Sequence, residues 1–257
     1  MNILIIGDVV GRPGRGATKL LLAGLRKRYA LDLVIVNGDN AAGGRGLTSK
    51  TAVELLEAGA DVITSGNHIW NQKEVLPHLD SDLPIVRPLN YPPGVPGRGW
   101  VESKGVVVVN LMARVFVGEF DCPFRAFDQL VGLREVAGKI IVVDLHGEAT
   151  SEKTAFGWYA DGRAAAVLGT HTHVPTADNR VLPRGTAYVS DVGMVGPRDS
   201  VIGVNPDTAV RKFLTQIPTH LTVAEGGPVV FNSVLVEIDE GTRLARSIVR
   251  IDREVPA

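Results

Sequence analysis

Short runs of apolar, often β-branched residues alternate with segments of helical apolar spacing over the first two thirds of the chain. This alternation predicts parallel strands joined by crossover helices, as in an α/β fold. Nearly every position in the runs is apolar, so we expect the sheet to be covered on both faces. The predicted strands are residues 2–6, 32–36, 61–64, 84–87, 105–111, 139–143 and 164–168.

Helices are predicted where apolar residues recur every three or four positions. Thr48 or Ser49 is the expected N-cap of one of them, because a side-chain oxygen there can accept a hydrogen bond from the first turn. The predicted helices are residues 14–29, the stretch from Thr48 or Ser49 through Ala58, 127–136, 153–159 and 207–214.

The pattern changes after Gly185, where we expect strands of an antiparallel or mixed sheet. These strands are predicted at residues 186–190, 229–238 and 247–251, with the last two forming a hairpin around Glu240-Gly241. Loops and prolines dominate the stretch between them. We therefore expect one domain over residues 1–257 with a small cap-like insertion at about 193–227.

Composition and charge exclude several classes of protein as candidates for this chain. The 257 residues carry a net charge of −1, so no bulk electrostatic attraction to nucleic acid or an anionic membrane is expected. Cys122 is the single cysteine, which excludes an internal disulfide and a cysteine-based zinc cluster. No window approaches the roughly 20 apolar residues of a membrane helix. We expect a soluble cytoplasmic protein with no membrane partner.

Five of the apolar runs are followed directly by side chains that can bind a metal ion. In an open α/β sheet the carboxyl ends of the strands share one edge, where ligands bind, so we expect these side chains to converge. The five sets are Gly7-Asp8, Gly38-Asp39-Asn40, Gly66-Asn67-His68, the stretch 144–148 with His146, and Gly169-Thr170-His171-Thr172-His173.

Carboxylates, amides and imidazoles make up these sets, and each set lies beside a glycine or a tight turn. Nitrogen and oxygen donors without a thiolate suit manganese, iron or zinc. Taken singly, an aspartate after a strand usually caps a helix, and a lone histidine is usually only hydrogen-bonded. Their recurrence at five strand ends favours a metal centre instead.

The five sets together resemble the calcineurin-like metallophosphoesterase superfamily. Three longer stretches are closer still to the bacterial YmdB-like phosphodiesterases: residues 7–11, the Gly-Asn-His-x-Trp of residues 66–70, and residues 169–174 followed by 176–180. The similarity extends over nearly the whole chain. It implies an α/β fold of the four-layer αββα metallophosphoesterase type, with two metal ions bridged by a carboxylate.

The resemblance also implies which residues hold the two divalent ions. One ion would bind Asp8, Asp39, Asn40 and His173, and the other would bind Asp39, Asn67, His146 and His171, with Asp39 shared. The wider superfamily has a histidine at the position of Val10, which cannot bind a metal, and the YmdB-like branch uses the Asn40 amide instead. An amide oxygen in place of an imidazole nitrogen favours iron or manganese over zinc.

The implied activity is hydrolysis of a small phosphodiester by a hydroxide that bridges the two metals. Cyclic nucleotides are the implied substrates, with 2′,3′-cAMP and 3′,5′-cAMP as candidates and RNA-derived ends as a further one. His68 would protonate the leaving oxygen or, on the alternative interpretation, only form a hydrogen bond beside the metals. Arg12, Arg15 and Arg45 lie in glycine-containing loops just after strand ends, and each could contact phosphate or simply face solvent.

Two other functions stay open at this point. A phosphomonoesterase could use the same metals, and a nucleotide-sensing regulatory protein could bind its ligand with little turnover. The adjacent Asn67-His68 pair counts against the sensor, because a sensor needs no acid for a leaving group. The oligomeric state is also open, with a homo-oligomer among the candidates.

Overall fold

Two six-stranded sheets and one four-stranded sheet organise the computed structural model, which describes residues 1–256. In chain order the strands are β1 Asn2–Ile6, β2 Asp8–Val9, β3 Leu33–Asn37, β4 Val62–Thr64, β5 Ile85–Val86, β6 Trp100–Ser103, β7 Val106–Met112, β8 Ile140–His146, β9 Ala166–Thr170, β10 Arg180–Val181, β11 Ala187–Val189, β12 Met194–Pro197, β13 Val229–Phe231, β14 Ser233–Asp239, β15 Leu244–Arg250 and β16 Arg253–Val255. The helices are α1 Gly11–Arg28, α2 Ser49–Glu57, α3 Leu76–Leu79, α4 Pro123–Val131, α5 Thr150–Ala160 and α6 Pro206–Thr215.

The first sheet has the order β15-β14-β1-β3-β4-β5, and the second has the order β10-β11-β9-β8-β7-β6. Strands β1, β3, β4 and β5 run parallel to one another, as do β7, β8, β9 and β11. The third, smaller sheet has the order β16-β13-β12-β2. All carboxyl ends of the parallel strands in one sheet therefore lie at one edge of it.

Alternate side chains of the central strands enter two different cores, because successive residues of a strand point to opposite faces. Ile3 and Ile5 of β1 pack in the layer between the two large sheets, together with residues such as Val106 and Val108 of β7. Leu4 and Ile6 face the other way, into a core shared with α1 and α2.

The outer face of the second sheet is covered in the same manner. Val107 and Val109 of β7 pack with Phe127 of α4 and Phe156 of α5. The order of layers is therefore helix, sheet, sheet, helix, and the predicted αββα fold class is confirmed.

Most predicted elements are present, and the two largest differences concern the helix predicted at 127–136 and the strand predicted at 229–238. The helix predicted at 127–136 begins earlier, at Pro123, and its C-cap is Gly132. The strand predicted at 229–238 is divided at Asn232 between the third and the first sheet, because the Asn232 backbone and side chain both bond to Met194 of β12. The predicted late hairpin is confirmed as β14 and β15.

The stretch 193–227 is partly built into the third sheet. Its strand β12 pairs with β2 and β13, and α6 follows after Asn205, whose side chain caps the helix. That the rest of this stretch acts as a cap stays a prediction. Within residues 1–256, no helix has the length and the apolar character that crossing a membrane requires.

Candidate metal centre

The first sheet contributes oxygen donors at the ends of β1, β3 and β4. Asp8 and Asp39 are both buried. A Cβ on Gly7 would lie 1.9 Å from the Gly193 carbonyl oxygen, so only glycine allows the chain to pass there. Asp8 then donates its backbone N–H to that same oxygen over 3.0 Å, which fixes the turn that carries its carboxylate.

Backbone amides also orient Asp39. The His68 N–H donates to both carboxylate oxygens of Asp39, at 3.1 and 3.2 Å. The carboxylate is therefore held by the main chain of a neighbouring strand end, whatever side chain position 68 carries.

The two asparagines point their oxygens inward. Asn40 donates its amide N–H to the Gly44 carbonyl over 2.9 Å, and its Oδ1 lies 3.2 Å from Nε2 of His173. Asn67 Oδ1 lies 3.0 Å from Nε2 of His146. Both amide oxygens thus face imidazoles from the second sheet.

His146 is the last residue of β8, and a buried hydroxyl fixes its tautomer. Thr170 donates its hydroxyl to Asp144 over 2.6 Å, so its Oγ1 accepts from His146 Nδ1 at 2.9 Å. The His146 Nε2 lone pair is then free to face Asp39, whose Oδ2 lies 3.5 Å away. Burial raises the pKa of Asp144 to about 6, against the lowering effect of hydrogen bonds from Thr170 and Thr64.

His171 and His173 follow β9 in a turn with unusual backbone angles. Their φ values are +103° and +65°, a region that residues other than glycine rarely adopt. A backbone held in this region needs support from its surroundings.

A buried ion pair lies beneath this turn. Lys153 donates to Asp191 over 2.9 Å and to the Thr170 carbonyl over 2.8 Å, and both charged residues are 1% exposed. Asp191 in turn accepts from the backbone N–H groups of Thr172 and Gly193. The pair therefore ties α5 and the end of β11 to the turn that carries the two histidines.

The electrostatics of the centre call for a positive charge that the chain does not supply. Burial raises the pKa of Asp8 well above its usual value, with a further contribution from Asp191. Burial and then the neighbouring Asp8 do the same for the pKa of Asp39. Asp8 Oδ1 is buried without a hydrogen-bond partner and lies 3.8 Å from both His146 Nδ1 and His173 Nε2.

The imidazoles are kept neutral in the same environment. Burial holds the pKa of His146 well below its usual value, and burial lowers the pKa of His171 to about 4. The pKa of His173 is also lowered by burial. Neutral imidazoles beside unneutralised carboxylates are donors for a cation, so the residues present fit a divalent metal.

Amide oxygens are needed to complete such a site. Within residues 1–256, no group of three histidine, cysteine, aspartate or glutamate side chains could by itself hold a metal ion. Asn40 and Asn67 supply the additional oxygens. Val10 supplies none, since its side chain is a hydrocarbon, which is buried beside Gly196 and Gly203.

The structure brings all the predicted site residues together but corrects one expectation. The donors do not share the edge of one sheet: Asp8, Asp39 and Asn67 follow strands of the first sheet. His146, His171 and His173 come from the second sheet. Strand patterns alone do not tell which sheet a buried strand enters, because both large sheets are covered on both faces.

A cavity of about 310 Å³ opens onto the centre. His68, Arg45 and Glu148 line it, together with His171 and His173. Glu148 has no role predicted from the sequence, and its Oε2 lies 3.4 Å from Nε2 of His171. Asp191 is also absent from the predicted set, although it follows β11 as the predicted donors follow their strands.

Three comparisons place these features among known proteins. The sequence model described as YmdB-like protein matches residues 4–251. The 2′,3′-cyclic-nucleotide 2′-phosphodiesterase of Bacillus subtilis (strain 168) is 48% identical over 255 residues, covering 98% of this chain and 96% of the relative. Its name agrees with the class of enzyme that the sequence predicts.

Two solved structures are similar over the whole chain. A hypothetical protein from Thermus thermophilus superposes with a TM-score of 0.92 at 46% identity, covering 100% of both chains. A phosphatase from Mycoplasma pneumoniae has the same TM-score of 0.92 at 36% identity, covering 100% of this chain and 94% of the other.

Proposed function

The chain belongs to the YmdB-like protein family, and from that premise we propose that it is a dinuclear metal-dependent phosphodiesterase acting on 2′,3′-cyclic nucleotides. Membership confirms the resemblance that the strand-end motifs predict. The single observation that carries the proposal is the pair of buried carboxylates, Asp8 and Asp39, surrounded by neutral imidazoles and lacking a cationic partner.

The residues that would hold the ions are those named from the sequence. Asp39 lies between the two sets, since its Oδ2 is 3.5 Å from Nε2 of His146 in one set and the charge of Asp8, in the other, raises its pKa. When bound, the two cations would stabilise charge on the phosphate and lower the pKa of water. The mix of imidazole, amide and carboxylate donors favours iron or manganese.

The chain's own residues would position the substrate and move the protons. Hydrolysis adds the oxygen of water to phosphorus and breaks one P–O bond of the cyclic phosphate, so the departing ribose oxygen must gain a proton. His68 lines the cavity, and its Nδ1 lies 3.1 Å from the acceptor Oδ1 of Asn71, so His68 would act as an imidazolium whose Nε2 carries the proton that the departing oxygen takes. Arg45 lines the same cavity and can bind a phosphate oxygen.

An assay of purified protein loaded with Mn²⁺ or Fe²⁺ tests the proposal. We expect hydrolysis of 2′,3′-cAMP in preference to 3′,5′-cAMP, and removal of the metal with a chelator should abolish it. Metal analysis of the same sample should find two ions per chain. Turnover that survives complete removal of metal would contradict the proposal.

A second candidate is a phosphomonoesterase, which the similarity to the Mycoplasma pneumoniae phosphatase favours. Comparing bis-p-nitrophenyl phosphate with p-nitrophenyl phosphate separates the two, since the diesterase should prefer the first. Tight nucleotide binding without product release would instead favour the sensor. Action on RNA-derived ends and assembly into a homo-oligomer stay predictions.

A further inference from the structure

Ile202 has a backbone conformation that its residue type disfavours. Its φ is +48°, and Gly203 beside it has a φ of +98°. The two form the tip of a tight turn, because Val201 and Val204 bond to each other through both backbone groups, at 2.9 and 3.0 Å. Turns of this kind favour asparagine or glycine at both central positions, whereas a β-branched residue is strained there.

The main chain of Ile202 has an evident use, but its side chain does not. The Ile202 carbonyl accepts a hydrogen bond from His173 Nδ1 over 2.8 Å, which leaves His173 Nε2 facing Asn40 and Asp8. Any residue would supply that carbonyl, and asparagine or glycine would do so without strain. Strain retained at a site suggests that the side chain itself has a task.

The Ile202 side chain is 48% exposed, and it lines the cavity at the metal centre. A short ribbon supports it: Asn205 N–H donates to Thr222 over 2.9 Å, and Ala224 N–H donates to Gly203 over 3.0 Å. A Cβ on Gly203 would lie 2.7 Å from the Val10 side chain, so the turn rests directly on Val10. The isoleucine is therefore held on a fixed support.

Aliphatic side chains and polar side chains both line the cavity. Ile202, Val204 and Leu221 form what we call the aliphatic wall. The remaining lining includes polar and charged groups, such as His68 and Arg45. A ligand that suits this cavity combines a flat apolar part with an anionic part, as a nucleotide does.

We propose that the aliphatic wall binds the nucleobase of the substrate and that Ile202 thereby selects nucleoside phosphodiesters over phosphodiesters without a base. This inference rests on the proposed function and adds to it a residue that determines specificity. The base packs on the aliphatic wall while the phosphate of the same nucleotide reaches the metal centre. The wall therefore strengthens substrate binding by removing apolar surface from water.

A pair of substrates that differ only in the base provides the test. One is 2′,3′-cAMP, and the other is methyl riboside 2′,3′-cyclic phosphate, which carries a methoxy group in place of adenine. The quantity measured is the ratio of kcat/KM for the first substrate to kcat/KM for the second. We expect Ile202→Asn and Ile202→Gly each to lower this ratio about tenfold, chiefly through KM for 2′,3′-cAMP.

Gln216→Gly is the matched control. Gln216 also has a positive φ, +57°, in the same stretch of chain, but it is exposed and does not line the cavity. Its replacement should leave the ratio unchanged. Thermal unfolding of Ile202→Asn should occur at a temperature no lower than that of the native protein, because asparagine tolerates this backbone conformation.

An unchanged ratio in both Ile202 variants would overturn the inference, including the case in which kcat/KM falls equally on both substrates. Failure of the proposed function gives a different result. In that case the native protein, loaded with metal, would cleave neither substrate.

Discussion

The two halves of the candidate metal centre are held in place by different means. The first-sheet half carries Asp8 and Asp39, which are fixed by backbone N–H groups and by close passages of the main chain. In the second-sheet half buried side chains hold His146 and the histidine turn, and the main chain contributes one bond, from His173 Nδ1 to the Ile202 carbonyl. Thr170 orients His146, and the Lys153–Asp191 pair supports the histidine turn.

This difference determines how each half responds to substitution. A carboxylate held by main-chain groups keeps its place when neighbouring side chains change. Imidazoles held by buried polar side chains depend on every member of the network, because a partner left unpaired inside the protein is costly. The following substitutions test that contrast, from the largest expected effect to the smallest.

Asp39→Asn should have the largest effect, because it removes the charge that both metal ions would share, while the His68 N–H can still bond to the remaining oxygen. We expect loss of at least one metal ion per chain, measured by elemental analysis, with loss of hydrolysis. Asp61→Asn, at the opposite end of β4, is the control and should keep its metal. Full metal content in Asp39→Asn would refute the assignment of Asp39.

His68→Ala distinguishes the role of the His68 side chain from that of its backbone N–H. The backbone N–H that holds Asp39 remains, so both metal ions should still bind. Turnover of 2′,3′-cAMP should nevertheless fall by about 10²- to 10⁴-fold, the usual contribution of a general acid. A variant with native turnover would remove His68 from the mechanism.

Lys153→Met tests the support of the second-sheet half without changing any of the proposed metal-binding residues. It leaves Asp191 buried without its cation, and breaking a buried ion pair costs about 3 to 5 kcal/mol of unfolding free energy. Urea unfolding measures this loss. Arg246→Met removes an exposed partner of Asp239 and should change stability little. Comparable stabilities of the two variants would show that the buried pair does not support the turn.

Thr170→Val should have the smallest effect and the most local one. Valine matches threonine in shape but cannot accept from His146 Nδ1, so metal binding should weaken by about 10- to 100-fold in a chelator competition. Thr64→Val removes the other hydroxyl that donates to Asp144 and leaves His146 untouched. Equal weakening in both variants would mean that burial of Asp144, not the orientation of His146, is what matters.

The same contrast explains what the sequence could predict. Strands such as β1, β3 and β8 are long apolar runs that end at a glycine or a polar donor, so both the strands and the donors are visible in the pattern. The strands β2 and β16 have two and three residues, too few to show a period. Pro123 begins α4, a position that proline favours, and the helix predicted at 127–136 does not include it.

The supporting residues were hidden for a different reason. A lysine within a helix, such as Lys153, is normally exposed, and only the packing of α5 on the second sheet buries it. The positive φ of Ile202 contradicts its residue type, so no sequence rule could assign it. Donors that follow strands are thus predictable, whereas the groups that hold them depend on tertiary contacts.

The central place of β1 has a consequence for synthesis of the chain. β1 pairs on one side with β14, whose residues 233–239 are translated more than two hundred positions later, and the Gly7 N–H is bonded to the Asn232 carbonyl. The turn at Asp8 therefore gains its full set of partners only when most of the polypeptide has left the ribosome. We therefore expect the candidate metal centre to reach its final geometry only after the hairpin of β14 and β15 has emerged.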